Sequence, residues 1–157
     1  MDFMTALEVS ASGLNAQRIR MNIAAMNLAN IHTTRTKSGG PYRRKSVIFE
    51  AVPVQNPFDR ILQASMLMPG YSRQGSLFSE PPTGVHVVDI VNDNRAFKRV
   101  FEPSHPDADK DGYVMLPNIN VIEEMVNMLM ASRSYEANIT VFQATKNMIL
   151  KAIEIIK

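Results

Sequence analysis

Asp107, Asp109 and Asp111 alternate with Ala108 and Lys110 and run into Gly112, Tyr113 and Val114. This spacing places oxygen donors at the first, third and fifth positions of a calcium loop and glycine at the sixth, where the chain must turn sharply. Calcium also requires a bidentate glutamate at the twelfth position, and Asn118 stands there, just after Pro117. Pro106 precedes the run, so no helix leads into it. The three aspartates are therefore read as a carboxylate-rich turn approaching the C-terminal helix, with calcium ligation the lesser alternative. His32, His86 and His105 have no metal-ligand spacing with one another or with the acids. The chain has no cysteine, which removes thiol catalysis and thiolate metal sites, and it carries no nucleophile elbow, phosphate loop or dinucleotide fingerprint. It reads as a non-enzyme without a cofactor.

A second cluster is basic. Arg35, Lys37, Arg43, Arg44 and Lys45 fall within eleven residues that contain no acid and only one aromatic, Tyr42. The formal charge of the whole chain is only +2, too small for a polyanion argument from totals. The run is a contact surface of unassigned partner. A soluble polyanion-binding module using residues 35–45 is the alternative function, and it would show steep salt dependence.

The elements that carry these residues follow from composition and punctuation. The chain has 157 residues, 45% hydrophobic and 20% charged, about the size of one domain with length to spare. No stretch approaches eighteen uninterrupted apolar residues, and the start lacks the basic and apolar regions of an ordinary secretory signal. All nine prolines lie between Pro41 and Pro117, which leaves both ends free to run as helix.

Met4, Leu7, Ala11, Leu14, Arg18, Met21, Ala25 and Leu28 step by three and four, as do Val121, Met125, Met128, Ser132, Tyr135, Ile139, Phe142, Lys146, Ile149, Ile153 and Ile156. Both stripes predict long amphipathic helices with coiled-coil-like seams, the first from about Asp2 to Ala29 and the second from Val121 to Lys157. Asn120 and Glu123 form a capping-box pattern at the start of the second. Between the helices, Val47–Phe49, Val85–Val91 and Phe97–Phe101 read as strands of a small antiparallel unit. Gln55–Gly84, rich in proline and glycine, reads as a long ordered loop.

The expected class is thus α+β: two terminal amphipathic helices packed together, plus a small central β domain with an extended loop. The expected divisions are 1–34, 35–118 and 119–157. Ile19, Ile23 and Met26, with Ile122, Val126, Leu129 and Leu150, widen the stripes beyond what a single helical neighbour would cover. Packing within an assembly is therefore expected, through Leu7, Leu14, Met21, Leu28, Met125, Met128, Tyr135, Ile139, Phe142, Ile149 and Ile153.

Ser12-Gly13-Leu14 followed by Asn27-Leu28-Ala29-Asn30 and Thr33 resembles the N-terminal signature of the flagellar axial proteins, the rod, hook and junction subunits. Asn120 to Met128, with Glu123 and Glu124, and then Ser132 to Asn138, with Tyr135, resemble the C-terminal signature of the same family. Gly39-Gly40-Pro41-Tyr42-Arg43-Arg44-Lys45 and the segment Glu102 to Val114 narrow the resemblance to proximal rod subunits.

The resemblance implies a helical tube of many subunits that transmits torque from the rotor ring to hook and filament and forms part of an export channel. Its implied partners are copies of itself, other rod proteins, the rotor (MS) ring with its rod adaptor, and the flagellar export apparatus, without nucleic acid or membrane insertion. It also implies a place in the basal-body rod across the periplasmic space, reached through the flagellar secretion system without a cleavable signal peptide. Asn27 and Asn30 are expected as helix-end caps or turn formers, and Tyr135 as a packing residue.

Overall fold

A computed structural model describes residues 3–37, 39–54 and 82–155. The chain runs α1 (Phe3–Ala29), β1 (Lys45–Pro53), β2 (Thr83–Asn92), β3 (Lys98–Phe101), β4 (Tyr113–Leu116) and α2 (Val121–Ile155). The architecture is α+β, as the proline-free ends and β-branched middle dictate. Asn30 ends α1 by donating its side-chain amide to the Met26 carbonyl at 2.8 Å, satisfying a carbonyl of the last turn. Asn120 starts α2 by accepting the Ile122 amide at 3.0 Å. Glu123, its expected capping-box partner, has an oxygen 3.5 Å from Arg44 Nη2.

The β residues form two separate two-stranded antiparallel ladders rather than one unit. β1 pairs with β2 from Lys45↔Asn92 to Pro53↔Thr83, with a bulge between Ile48 and Phe49. β3 pairs with β4 from Lys98↔Leu116 to Phe101↔Tyr113. The Asp107–Gly112 run therefore closes the β3–β4 hairpin, and β4 intervenes before α2. The expected Gln55–Gly84 loop lies outside the described residues up to position 81, and its last two residues, Thr83 and Gly84, already belong to β2.

α1 and α2 pack antiparallel: Asn27 meets Glu124, Arg20 meets Asn127, and Gly13 faces Asn138. The buried line between them sits about one residue round from the stripes read in the sequence. Ser10, Ala16, Ile23, Ala24 and Asn27 are buried on α1, and Glu124, Ala131 and Thr145 on α2. Met4, Ala11, Arg18 and Ala25, and likewise Val121, Met125, Lys146 and Ile153, stay exposed.

The physical reason is close approach. Glycine and alanine at the crossing points let the helices come together, and two polar residues lock that register. The buried hydroxyls satisfy themselves along their own helices, Ser10 on the Ala6 carbonyl and Thr145 on the Val141 carbonyl, both at 2.9 Å.

Candidate assembly interface

Asn27 is 1% exposed and completes its amide. Its Nδ2 donates to the Lys45 carbonyl at 2.8 Å and to Glu124 Oε2 at 2.9 Å. Its Oδ1 accepts from the Lys45 amide at 2.9 Å and from the Tyr42 hydroxyl at 3.1 Å. Two donors and two acceptors are thereby all used. Glu124, 2% exposed, receives Arg44 on Oε1, with Nε at 2.8 Å and Nη2 at 2.6 Å. A carboxylate withdrawn this far from water needs such a partner, because desolvating an unpaired charge costs several kcal/mol. Burial pushes the Tyr42 phenol up from its ordinary value, and the charge of Glu124 adds to the rise. One polar node thus ties the end of α1, the start of β1 and the first turn of α2.

Asn27 is therefore a clamp between elements and not the helix-end cap expected of it; Asn30 has the capping role. Thr33 donates its hydroxyl to Asn30 Oδ1 at 3.2 Å, and its carbonyl accepts the Tyr42 amide at 3.1 Å, which closes the 30–42 loop beside the node. Gly39 and Gly40 turn that loop at φ 84° and 75°, a region costly for residues with a Cβ.

The other signature residues mark close approaches. Ser12 Oγ donates to the Val9 carbonyl at 2.7 Å and accepts the Val85 amide at 3.1 Å, fastening β2 to α1. A Cβ on Gly84 would stand 2.9 Å from that Oγ, and a Cβ on Gly13 would stand 2.9 Å from Asn138 Nδ2. Ser12, Gly13 and Asn138 thus hold one junction, and Asn27, Tyr42 and Glu124 another. Leu28, Pro41 and Tyr135 are half-buried around them, whereas Ala29 and Glu123 face solvent.

Of the residues expected at an assembly surface, Leu7, Leu14, Met21, Leu28, Met128, Tyr135, Ile139, Phe142 and Ile149 are half-buried, and Met125 and Ile153 are exposed. Large apolar side chains of α2 stay exposed beside them: Ile155 at 84%, Ile122 at 69%, Met130 at 56% and Leu129 at 55%, with Val126, Val141, Met148 and Leu150 about half exposed. Buried apolar residues among those described are few and mostly small: Ala16, Ile23, Ala24, Val114 and Ala131. A helix that hides its small residues and presents its large ones has its main apolar surface still to cover.

Sequence reasoning missed the inner line, although a seven-residue repeat of small or polar residues announces it: Glu124, Ala131, Asn138, Thr145 and Ala152 on α2, and Gly13, Arg20 and Asn27 on α1. Arg20 Nη2 donates across the pair to Asn127 Oδ1 at 3.4 Å.

The chemistry-bearing clusters are partly absorbed by the fold. Asp107 Oδ2 accepts the Thr34 hydroxyl at 2.7 Å, and Asp109 Oδ1 accepts the Lys110 amide at 2.8 Å. Gly112 adopts φ 78° to close the hairpin. Among the described residues no three acids or histidines converge on one point. Of the basic run, Arg44 belongs to the node, Arg43 lies 4.7 Å over the Phe97 ring, and Arg35 and Lys37 are exposed. Among the described residues no helix is long and apolar enough to cross a membrane.

Residues 7–37 match the family of flagella basal body rod proteins, and residues 110–155 match the family described as flagellar basal body rod FlgEFG protein C-terminal. The flagellar basal-body rod protein FlgC of Borreliella burgdorferi is 41% identical, with 100% of this chain and 99% of the relative covered. FlgC of Bacillus subtilis is 42% identical over 96% of this chain and 95% of its own length. FlgC of Aquifex aeolicus is 39% identical over 98% and 97%.

Proposed function

The chain belongs to the flagellar basal-body rod proteins, a structural and non-enzymatic family of the flagellum, and from that membership we propose that it is a proximal rod subunit. It packs side by side with copies of itself and with other rod proteins into a helical tube. The tube carries torque from the rotor ring towards hook and filament and encloses part of the export channel. Residues 1–34 and 119–157 form its helical layer, and residues 35–118 lie outside that layer. The rotor ring with its adaptor and the export apparatus are the neighbours at its base. The subunit reaches the rod through the flagellar secretion system.

The observation that carries this reading is the apolar face of α2 from Ile122 to Leu150, left uncovered while the helix pair is already closed by its small and polar residues. Heterologous contacts made by such a face extend into a helical filament when the rotation from copy to copy does not close a ring. Two experiments test it. Electron cryotomography of cells lacking the chain is expected to show the rotor ring with the rod above it missing or truncated; normal rods and hooks would sink the reading. Leu129→Asp is expected to leave the thermal midpoint of the free subunit within a few degrees, because Leu129 is exposed in it. The same change abolishes swimming, since an unpaired charge buried at each copy costs several kcal/mol.

A further inference from the structure

The five cations of residues 35–45 do not act together, because the fold separates them. Arg44 is bound to Glu124 at 2.6 Å, and the nearby carboxylate of Asp93 is held by Arg95, also at 2.6 Å. Lys37, Arg43 and Lys45 instead line one open cleft of about 710 Å³ between the 36–43 loop and β2. Met26, Ile90 and Phe97 supply its apolar part. Among the described residues none of these three cations has a carboxylate within 4.0 Å. Arg43 gives one N–H to the Asp93 carbonyl at 3.3 Å and stacks on Phe97, which leaves its remaining donors for a ligand. At the lip, Gly39 and Gly40 face open space: a Cβ at either would meet nothing within 4 Å.

We propose that this cleft docks an acidic peptide segment, presented by a neighbouring protein, that carries an aromatic or aliphatic side chain beside its carboxylates. The carboxylates pair with Lys37, Lys45 and the open edge of Arg43. The apolar side chain covers Met26 and Ile90 and the free edge of Phe97. Three unpaired cations around an apolar floor are complementary to this mixture of groups. A nucleic-acid strand fits less well, since base stacking needs open aromatic faces and Arg43 already covers one face of Phe97. The site does not depend on the apolar face of α2, so it is tested on the free subunit and separately from motility.

The experiment titrates the full chain into a fluorescein-labelled peptide of alternating Glu-Glu-Phe units at low salt and reads anisotropy. Saturable binding is expected, weakened about tenfold or more by Lys37→Glu with Lys45→Glu. Lys37→Gln alone weakens it by a smaller factor, and replacing Phe by Ser in the peptide weakens it independently. Arg99→Glu, whose guanidinium lies over Tyr113 and does not line the cleft, leaves it unchanged. Circular dichroism verifies that each variant folds, and Lys37→Gln alone decides if the double variant does not. Unchanged binding in the lysine variants, or no saturation by about 1 mM, overturns the proposal. Tighter binding of an oligothymidylate of equal charge also overturns it, in favour of a phosphate site.

Discussion

Asn27 makes four hydrogen bonds to three other segments of the chain, so removing its amide leaves several groups unmatched at once. Asn27→Ala is expected to cost about 2–4 kcal/mol in a urea melt, because the buried Glu124 and the half-buried Lys45 backbone lose partners. Asn30→Ala, which removes an exposed bond to a helix-end carbonyl and the longer one from the Thr33 hydroxyl, both open to replacement by water, costs about 1 kcal/mol. A reversed order of these two would show that Asn27 is no clamp.

Tyr42 supplies a spectroscopic check on the same node. Its phenol titrates above the ordinary value of 10.0, chiefly through burial and secondarily through the charge of Glu124. Because the folded value is raised, the contribution to stability is full below the ordinary value and is lost as pH climbs through the folded one. Glu124→Gln removes only the electrostatic part. Its tyrosinate absorbance is therefore expected to move part of the way down while staying above 10.0. The node was half legible: Asn27, Tyr42 and Glu124 all stood in the quoted signatures. Their meeting was not, because Asn27 and Glu124 are 97 positions apart and no local pattern encodes that distance.

At the scale of elements, both helices and three of the four strands could be read from proline placement, periodicity and β-branched runs. β4 is hidden because Tyr113 and Val114 also complete a calcium-like spacing, although Tyr-Val-Met-Leu between Gly112 and Pro117 has strand composition. The apolar stripes lie about one residue off the buried seam for a related reason. Apolar periodicity finds the widest hydrophobic face, whereas helix approach is set by the smallest residues. Gly13 is the sharpest instance, and it yields a double-mutant cycle. Gly13→Ala gains helix propensity of about 1 kcal/mol but drives a Cβ to 2.9 Å from Asn138 Nδ2. The clash falls on the tip of a side chain that can turn away, so the single change is expected to come out within about 1 kcal/mol of neutral, and Asn138→Ala in the same chain to release the propensity gain. Purely additive effects in thermal melts would show that the two helices do not meet there.

For the whole molecule, the subunit keeps its polar joints inside and its large apolar side chains outside. Composition could announce the need for neighbours, since the stripes were too wide for one partner, but the particular face could not be chosen until the inner line was known. The consequence is an unusual separation of tasks. Changes at Asn27, Gly13 or Glu124 act on the subunit itself, whereas changes at Ile122, Leu129 or Met130 act on what it joins. The free subunit is accordingly expected to self-associate reversibly at high concentration, and Leu129→Asp with Met130→Asp to keep it monomeric in sedimentation runs. Association that persists in the double variant would move the adhesive surface elsewhere.

The antiparallel pairing also fixes an order of events. Residue 27 finds its last partner only at residue 124, and α1 cannot hide its inner line before α2 exists beside it. Whenever the chain emerges from a narrow passage with its N-terminus leading, α1 waits unmatched while nearly a hundred residues follow. Contacts this distant along the chain close slowly. The same joint that secures the finished subunit is therefore among the last to form, since it must wait for the trailing end to arrive beside the leading one.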